Sequence, residues 1–360
     1  MLARSLLTRI WLTYKQHRFE TIAIVVVCLG VAVAALIEAY RLNSLNVSMA
    51  CFNSWQGPLQ YNQSPTAEQI RCAPLVESFQ NIQSSTDLNI VRLLLFLAPI
   101  VTGIVFGAPM VARELEQGTA PLSWSLSGSR RRWLLGKVLA GAVLLVPLML
   151  VVGLAADVLQ SAYSPGMNVY AAFENYLGRG VIDVFWALAA FAGTLALGTL
   201  LSRTLPAVIV GLVVSLFVYV MWGPAMTHFV LRPLAVQQSD QNSYSGGWFS
   251  GTTDLPVSME VYMDGKPFTG DVNEWWQEHQ PVEVAISPDP NATADPNATP
   301  GPGGPVLIYQ PPVDAPYYIN YVIPGSQYWA ITALESGLLF LGTLFCLGVA
   351  FVWVERRRPY

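Results

Sequence analysis

Six stretches of this chain are long and apolar enough to cross a lipid bilayer as helices. A helix of roughly 20 apolar residues spans a hydrocarbon core about 30 Å thick. Charged residues make up only 12% of the chain, about half the share found in soluble domains. The sequence therefore predicts an all-α membrane protein with six transmembrane helices. Their predicted bounds are Thr21–Tyr40, Ile90–Ala112, Trp133–Leu159, Val181–Leu201, Leu205–Trp222 and Tyr328–Val354.

The distribution of lysine and arginine predicts the side of the membrane that each loop faces. Placing both termini in the cytoplasm puts most of the 19 basic residues on that side. Short cytoplasmic loops are typically rich in Lys and Arg, and the loop 113–132 carries Arg113 and the run Arg130–Arg132. We therefore expect a multi-pass protein of the cell membrane with cytoplasmic termini. In this topology residues 41–89 and 223–327 face outside, and 328–360 hold the last span and a cytoplasmic tail.

The loop 41–89 contains two cysteines, Cys51 and Cys72. The other two cysteines, Cys28 and Cys346, lie within apolar runs, where packing explains them. Two cysteines in one loop that faces an oxidising compartment favour a disulfide. The alternative is a pair of free thiols.

Residues 1–20 combine an apolar stripe at helical spacing with four basic side chains. Such a segment is typical of an amphipathic helix that lies on the membrane surface and contacts lipid phosphates. The alternative is an ordinary basic tail that only sets the topology.

The loop 223–327 is the largest polar part of the chain and is strongly acidic. Its middle, "EVYMDGKPFTGDVNEWWQEHQPVEVAI", alternates apolar and polar residues between turn signals, which predicts short strands. The following tract Ser287–Pro305 repeats "DPNAT" and is rich in Pro and Gly, which is typical of a mobile linker. We expect a small outer cap followed by this tract; the alternative for the tract is a spacer.

The sequence does not indicate an enzyme. It has only three histidines, His17, His228 and His279, and none is paired at the spacing of metal ligands. It has neither the G-x-S-x-G pattern of hydrolases nor the phosphate-binding G-x-x-x-x-G-K-[ST]. We therefore predict no catalytic residue, metal or cofactor of its own, and no nucleic-acid partner.

Four acidic residues lie within or at the edge of the predicted spans, all toward their outer ends: Glu38, Asp157, Asp183 and Glu335. Acidic residues inside membranes usually face a cavity or a partner, so one interpretation is a polar pathway in the outer half. The alternative is that these residues simply lie near hydrated headgroups.

The segment between the second and third spans, "RELEQGTAPLSWSLSGSRRRW", has charges that oppose the helix dipoles. Glu114 and Glu116 lie near a helix C-terminus, and the arginines 130–132 lie near a helix N-terminus, where each charge costs about 0.3–1 kcal/mol. Gly118 is suited to end the first helix and Ser129 to cap the next. Three explanations for the charges stay open: lipid phosphates, Glu–Arg pairing within the segment, and a docking surface that would also use Trp124.

The longer segment "ARELEQGTAPLSWSLSGSRRRWLLGK" resembles the first cytoplasmic loop of permease subunits of type-2 ABC exporters. In that family the second span runs into E-x-E-x-G-T, followed by a short coupling helix and an S-R-x-R-W-type start of the third span. The resemblance implies that this loop contacts a separate nucleotide-binding subunit. The implied coupling residues are Glu114, Glu116, Gln117, Gly118, Thr119, Leu122, Trp124, Ser125, Arg130, Arg131 and Arg132.

The resemblance thus implies a permease subunit of an ATP-driven export system, with ATP bound by a cytoplasmic ABC ATPase. A second permease copy or a homologue would complete the assembly in the bilayer. Two other classes stay open: a secondary transporter that uses the membrane carboxylates, and a membrane-anchored sensor that works through its outer loop. The long 223–327 loop departs from the family pattern, and the sequence does not name a substrate.

Overall fold

The structure is a computed structural model. It describes residues 14–15, 17–48, 51, 67–238, 254–263, 265–279, 282–286, 306–310 and 316–356. Within the described residues the α-helices are numbered in chain order: α1 Arg18–Ser44, α2 Ala67–Gln83, α3 Thr86–Glu116, α4 Ala120–Ser127, α5 Arg130–Tyr163, α6 Ile182–Leu201, α7 Thr204–Ala225, α8 Val272–Glu278 and α9 Tyr328–Arg356.

Six helical segments of the described chain are long and apolar enough to cross a membrane, which confirms the prediction of a multi-pass helical protein. They are Arg18–Ser44, Thr86–Glu116, Arg130–Tyr163, Ile182–Leu201, Thr204–Leu234 and Gly325–Arg356. Most extend beyond the predicted apolar runs, and at α3 and α5 the reason is a capping serine outside the run. Ser85, for example, accepts a hydrogen bond from the backbone N–H of Leu88 and so starts α3 four residues before the predicted Ile90.

Small residues allow α3 and α6 to approach closely. Gly103 and Gly107 form a G-x-x-x-G pattern on α3, of the kind that permits close helix contact in membranes. A Cβ atom at Gly103 would lie 2.6 Å from the carbonyl oxygen of Ala187, and one at Gly107 would overlap the side chain of Thr194. The Thr194 hydroxyl donates within its own helix to the Ala190 carbonyl at 2.7 Å, so its polar atom is satisfied in the buried contact.

The helix α7 buries only Ala207, Gly211 and Tyr219. Most of its other apolar side chains are exposed, among them Leu205 and Phe217. Such a helix, apolar on its exposed side, is suited to contact with lipid.

The chain divides into two compact units. One holds the six spans together with 251–255 and 324–360, and the other comprises 227–250 and 256–323. The strands are β1 Val236–Gln238, β2 Leu255–Met263, β3 Lys266–Pro267, β4 Val282–Ile286, β5 Val306–Gln310 and β6 Tyr317–Ile323.

The strands form a four-stranded sheet in the order β1-β6-β2-β3 and a two-stranded pair β4-β5. The pairs β1–β6, β2–β3 and β4–β5 are antiparallel. Part of the predicted strand region is instead the helix α8. Asp271 explains this difference, because its carboxylate caps the helix by accepting from the backbone N–H groups of Asn273 and Glu274. The tract Ser287–Pro305 lies outside the described residues.

The predicted interfacial helix at 1–20 lies mostly outside the described residues and stays a prediction. Its described end packs on the bundle rather than pointing away from it. Tyr14 is helical and donates its hydroxyl to the Ala140 carbonyl of α5 at 2.8 Å. His17 is buried, with Nδ1 2.5 Å from Glu20 Oε2.

Cys51 and Cys72 are joined by a disulfide, with Cα atoms 5.3 Å apart. Both side chains are buried in a small apolar cluster with Val76 of α2. The bond therefore ties the start of α2 to the segment that follows α1.

Candidate functional site

Two glycines delimit the short helix α4 between the second and third spans. Gly118 and Gly128 have positive φ values of 68° and 74°, a conformation that residues with a Cβ atom adopt only at a cost. Gly118 follows the end of α3 at Glu116, as the sequence predicted. Ser129 then caps α5 by accepting from the backbone N–H of Arg132 at 3.3 Å. The end of α3, the short helix α4 and the start of α5 are thus separated by two tight turns, at Gly118 and at Gly128.

Glu114 is held inside the bundle by two donors from α5. Its carboxylate accepts from Lys137 Nζ at 2.6 Å and from Trp133 Nε1 at 3.1 Å. Lys137 is buried and Glu114 nearly so. Pairing offsets the cost of burying each charge and fixes the end of α3 to the start of α5.

Glu116 caps a different helix from the one that carries it. Its Oε2 accepts from the backbone N–H of Thr204 at 2.9 Å and from the Thr204 hydroxyl at 2.8 Å. Thr204 is the first residue of α7, where the partial positive charge of the helix dipole favours an anion. The carboxylate that opposes the dipole of α3 therefore stabilises the N-terminus of α7.

The arginines at the start of α5 are compensated in the same way by the end of α9. Arg130 donates to the backbone carbonyls of Val354 and Glu355 at 3.4 and 3.1 Å. Arg131 forms an ion pair with the Glu355 carboxylate, with Nη2 2.9 Å from Oε2. The C-terminus of α9 carries partial negative charge, so the cations are favourable there. Arg132 is exposed.

A third link reaches α1. Arg113 Nη1 lies 3.3 Å from Glu20 Oε1, and Glu20 also contacts His17. In the described part of the chain, neither Glu114 nor Glu116 pairs with an arginine of the 113–132 segment. Glu–Arg pairing within the segment is therefore not the explanation of its charges, which are matched by other helices.

Trp124, which one of the three explanations assigned to a docking surface, packs against α5. It is half-buried, with its ring 6.1 Å from that of Trp133 and beneath the Arg130 guanidinium at 4.6 Å. The physical reason is that α4 packs this side against α5. The apolar residue that α4 presents outward is Leu122, which is 65% exposed. Gln117, Gly118, Thr119 and Ser125 are exposed beside it.

The helix ends that flank the segment 117–129 are linked to other membrane-spanning helices. At the end of α3, Arg113, Glu114 and Glu116 contact α1, α5 and α7, and at the start of α5, Arg130 and Arg131 contact α9. Sequence reasoning missed Thr204 and Glu355, because their role depends on packing far along the chain. The arrangement has no chemical group suited to bond making, but it can transmit a displacement of α4 to several helices.

The four membrane carboxylates lie at the opposite end of the bundle, in different surroundings. Glu38 pairs with Arg41 of its own helix at 2.8 Å. Asp157 pairs with the buried Arg179 at 3.4 Å, a partner that the sequence analysis did not identify.

Arg179 lies in the connection 164–181 and also donates to three backbone carbonyls there: those of Val169, Ala172 and Glu174. These hydrogen bonds and the ion pair offset the cost of burying the Arg179 guanidinium. Asp183 is fully buried, and neither of its oxygens has a hydrogen-bond partner within the described residues. Glu335 is also buried, on α9.

Residues 21–226 match the family model described as ABC-2 membrane transporter related. This range covers five of the six spans and the whole 113–132 segment. Searches of curated proteins and of solved structures returned no match. Since the family model covers more than half of the chain, its six apolar helices are those of a membrane transport component. This chain belongs to the ABC-2 membrane transporter related family.

Proposed function

We propose that this protein is the permease subunit of an ATP-driven exporter, and that the segment 117–129 receives the motion of a separate cytoplasmic ATPase. The observation that carries the proposal is the position of this segment between two linked helix ends. Its solvent-facing side exposes Leu122 and small or polar neighbours. The end of α3 before it and the start of α5 after it are bonded to α5, α7 and α1 and to α9, respectively.

An exposed apolar residue flanked by small side chains suits contact with another protein. A partner that displaces α4 would move the attached helix ends together, because each link is a charge-assisted hydrogen bond or a salt bridge. Such a displacement could change which side of the membrane a central pathway opens to. In this proposal both termini and α4 lie in the cytoplasm, a second permease copy completes the pathway, and ATP binds only to the partner.

The test compares two substitutions at exposed helical positions on opposite ends of the bundle. Leu122→Asp places a charge on the solvent-facing side of α4. Ile70→Asp is the control on α2, where Ile70 is 62% exposed. Tagged full-length protein is purified from its native membranes in mild detergent, and co-purified protein and ATP hydrolysis are measured.

We expect wild type and Ile70→Asp to retain a subunit with a phosphate-binding loop and to hydrolyse ATP. Leu122→Asp should lose bound ATPase by about tenfold or more, the factor that corresponds to 1.4 kcal/mol. The proposal is wrong if no ATPase accompanies the wild type, or if Leu122→Asp retains both the subunit and its turnover.

A further inference from the structure

A cavity of about 640 Å³ lies at the end of the bundle opposite α4. Its walls are the ends of α3 and α5 and the connection 164–181. This volume is in the range of sites for small organic ligands, which are mostly apolar with a few polar groups. It is far from the charges around α4, so nothing in the coupling proposal accounts for it.

The polar wall of the cavity is built around Arg92. Its Nη2 donates to Asn175 Oδ1 at 2.7 Å, and its Nη1 lies 3.3 Å from the Tyr163 hydroxyl. The guanidinium also lies 4.7 Å from the centre of the Tyr163 ring. Gln160 lines the same wall and accepts from Asn175 Nδ2 at 2.8 Å.

Arg92 differs from the other arginine of the cavity in the charge of its partners. Arg179 pairs with the carboxylate of Asp157. The ion pairs of the described residues include none with Arg92, whose named partners are an amide, a hydroxyl and an aromatic ring. Its guanidinium is therefore held in place without a carboxylate in direct contact among the described residues, although the Glu174 carboxylate accepts from Gln160 on the same wall at 3.1 Å. A half-buried cation of this kind favours an anion.

The remaining walls are apolar. Phe96, Leu159 and Phe173 line the interior, and Leu93 lines the cavity while being 55% exposed on the surface of α3. Leu93 therefore belongs both to the cavity wall and to the exposed apolar surface of α3, which is suited to contact with lipid. A free inorganic anion would leave these walls without a partner, whereas an acyl chain would cover them.

We propose that this cavity binds an amphipathic anion, with a phosphate or carboxylate head on Arg92 and Asn175 and an apolar chain along Leu93, Phe96 and Leu159. The source best matched to the open apolar side is a lipid of the surrounding bilayer. The inference stands apart from the ATPase coupling, since it concerns the other end of the bundle and requires no nucleotide.

The test uses the purified full-length chain in neutral detergent and calorimetric titration with three probes. They are dioctanoyl phosphatidylglycerol, dioctanoyl phosphatidylcholine and inorganic phosphate. The variants are Arg92→Gln, Arg92→Lys and the control Arg71→Gln, which removes an exposed cation from α2 at the same end of the bundle, outside the cavity.

We expect the wild type to bind phosphatidylglycerol about tenfold more tightly than phosphatidylcholine, as one charge-assisted hydrogen bond would give. Arg92→Gln should abolish this preference, Arg92→Lys should keep most of it, and Arg71→Gln should leave it unchanged. Equal binding of the two lipids by the wild type would overturn the proposal, as would a preference that survives Arg92→Gln. If Arg71→Gln lost the preference for phosphatidylglycerol as fully as Arg92→Gln, the preference would be a general effect of surface charge, and the proposal would be overturned.

Inorganic phosphate separates the two sources of the anionic group. We expect it not to displace phosphatidylglycerol at millimolar concentration. Displacement by phosphate alone would contradict the role of the apolar walls. If Arg92→Gln fails to fold, Leu93→Trp provides an independent variant. Leu93 is exposed, so the protein should tolerate the larger side chain, and the indole would narrow the cavity beside it. Loss of phosphatidylglycerol binding in folded Leu93→Trp supports the site, and unchanged binding excludes it.

Discussion

The carboxylate of Glu116, at the last residue of α3, bonds to both the backbone N–H and the hydroxyl of Thr204, at the first residue of α7. The two residues are 88 positions apart in the chain. One side chain thereby joins the C-terminus of one membrane helix to the N-terminus of another, directly before the segment that we propose as the ATPase contact.

Removing the Glu116 carboxylate should loosen the start of α7. Glu116→Ala deprives the Thr204 N–H and hydroxyl of their acceptor and should lower the unfolding midpoint, as loss of a helix cap does. Thr204→Val removes only the hydroxyl donor and should cost less. The double variant should cost less than the two single variants added together, because they act on one interaction. Thermal unfolding of the four purified proteins measures this, and strict additivity would refute the coupling.

Breaking the buried ion pair of Lys137 and Glu114 should destabilise the protein far more than breaking the exposed pair of Arg131 and Glu355. Lys137→Met leaves the Glu114 carboxylate nearly buried without its cation, and such losses cost about 3–5 kcal/mol. Combining it with Glu114→Gln should recover part of this loss. The control Arg131→Gln breaks an exposed pair with Glu355 and should destabilise the protein much less, because exposed ion pairs contribute little to stability. Fluorescence-detected gel filtration after heating compares them; similar losses for both pairs would contradict the assigned burial.

Close contact between α3 and α6 predicts opposite effects for two Gly→Ala substitutions. Gly107→Ala would force a methyl group against Thr194 and the carbonyl of Phe191, which should destabilise the bundle by about 1–3 kcal/mol. Gly193, on α6, has open space around it, so Gly193→Ala should be neutral or stabilising through helix propensity. The midpoint of thermal unfolding checks both, and a tolerated Gly107→Ala would rule out the tight α3–α6 contact.

Acidification should weaken the contact made by the N-terminal segment. Burial lowers the pKa of His17 from its ordinary value, despite the hydrogen bond to Glu20 and with Lys137 and Glu114 nearby. Below about pH 6.5 the unfolded chain therefore binds more protons than the folded chain, and the free energy of unfolding falls as the pH drops. We expect the unfolding midpoint to decline more steeply in wild type than in His17→Gln between about pH 6.5 and 5.5. Parallel declines would show that His17 is not responsible.

The Cys51–Cys72 bond predicts the chemistry of the loop after α1. A disulfide that closes a loop of this size contributes about 3 kcal/mol by restricting the unfolded chain. Mass spectrometry of a digest alkylated without reduction should yield the two cysteines as one linked peptide pair. Recovery of both as alkylated thiols would exclude the bond and would also weaken the proposal that this loop faces outside.

Local patterns in the sequence were enough to predict the membrane-spanning helices and the turns of the coupling segment. The long apolar runs were sufficient for the six helices, because the length of such a helix is set by bilayer thickness. Gly118 and Ser129 marked the corners of the coupling segment, since left-handed turns and caps depend on single residues. The same local reasoning failed at Val272–Glu278, where alternation suggested a strand and the cap at Asp271 favoured a helix.

The chain by itself thus determined the spans, the polar segment between the second and third, and the misfit of its charges with their own helix dipoles. Only the tertiary structure decided which groups compensate those charges: Lys137 for Glu114, Thr204 for Glu116, and the end of α9 for Arg130 and Arg131. The physical reason is that a charge within a helix interacts with whatever packing brings near it. That neighbour is fixed by the contacts of whole helices, which no short stretch of sequence contains.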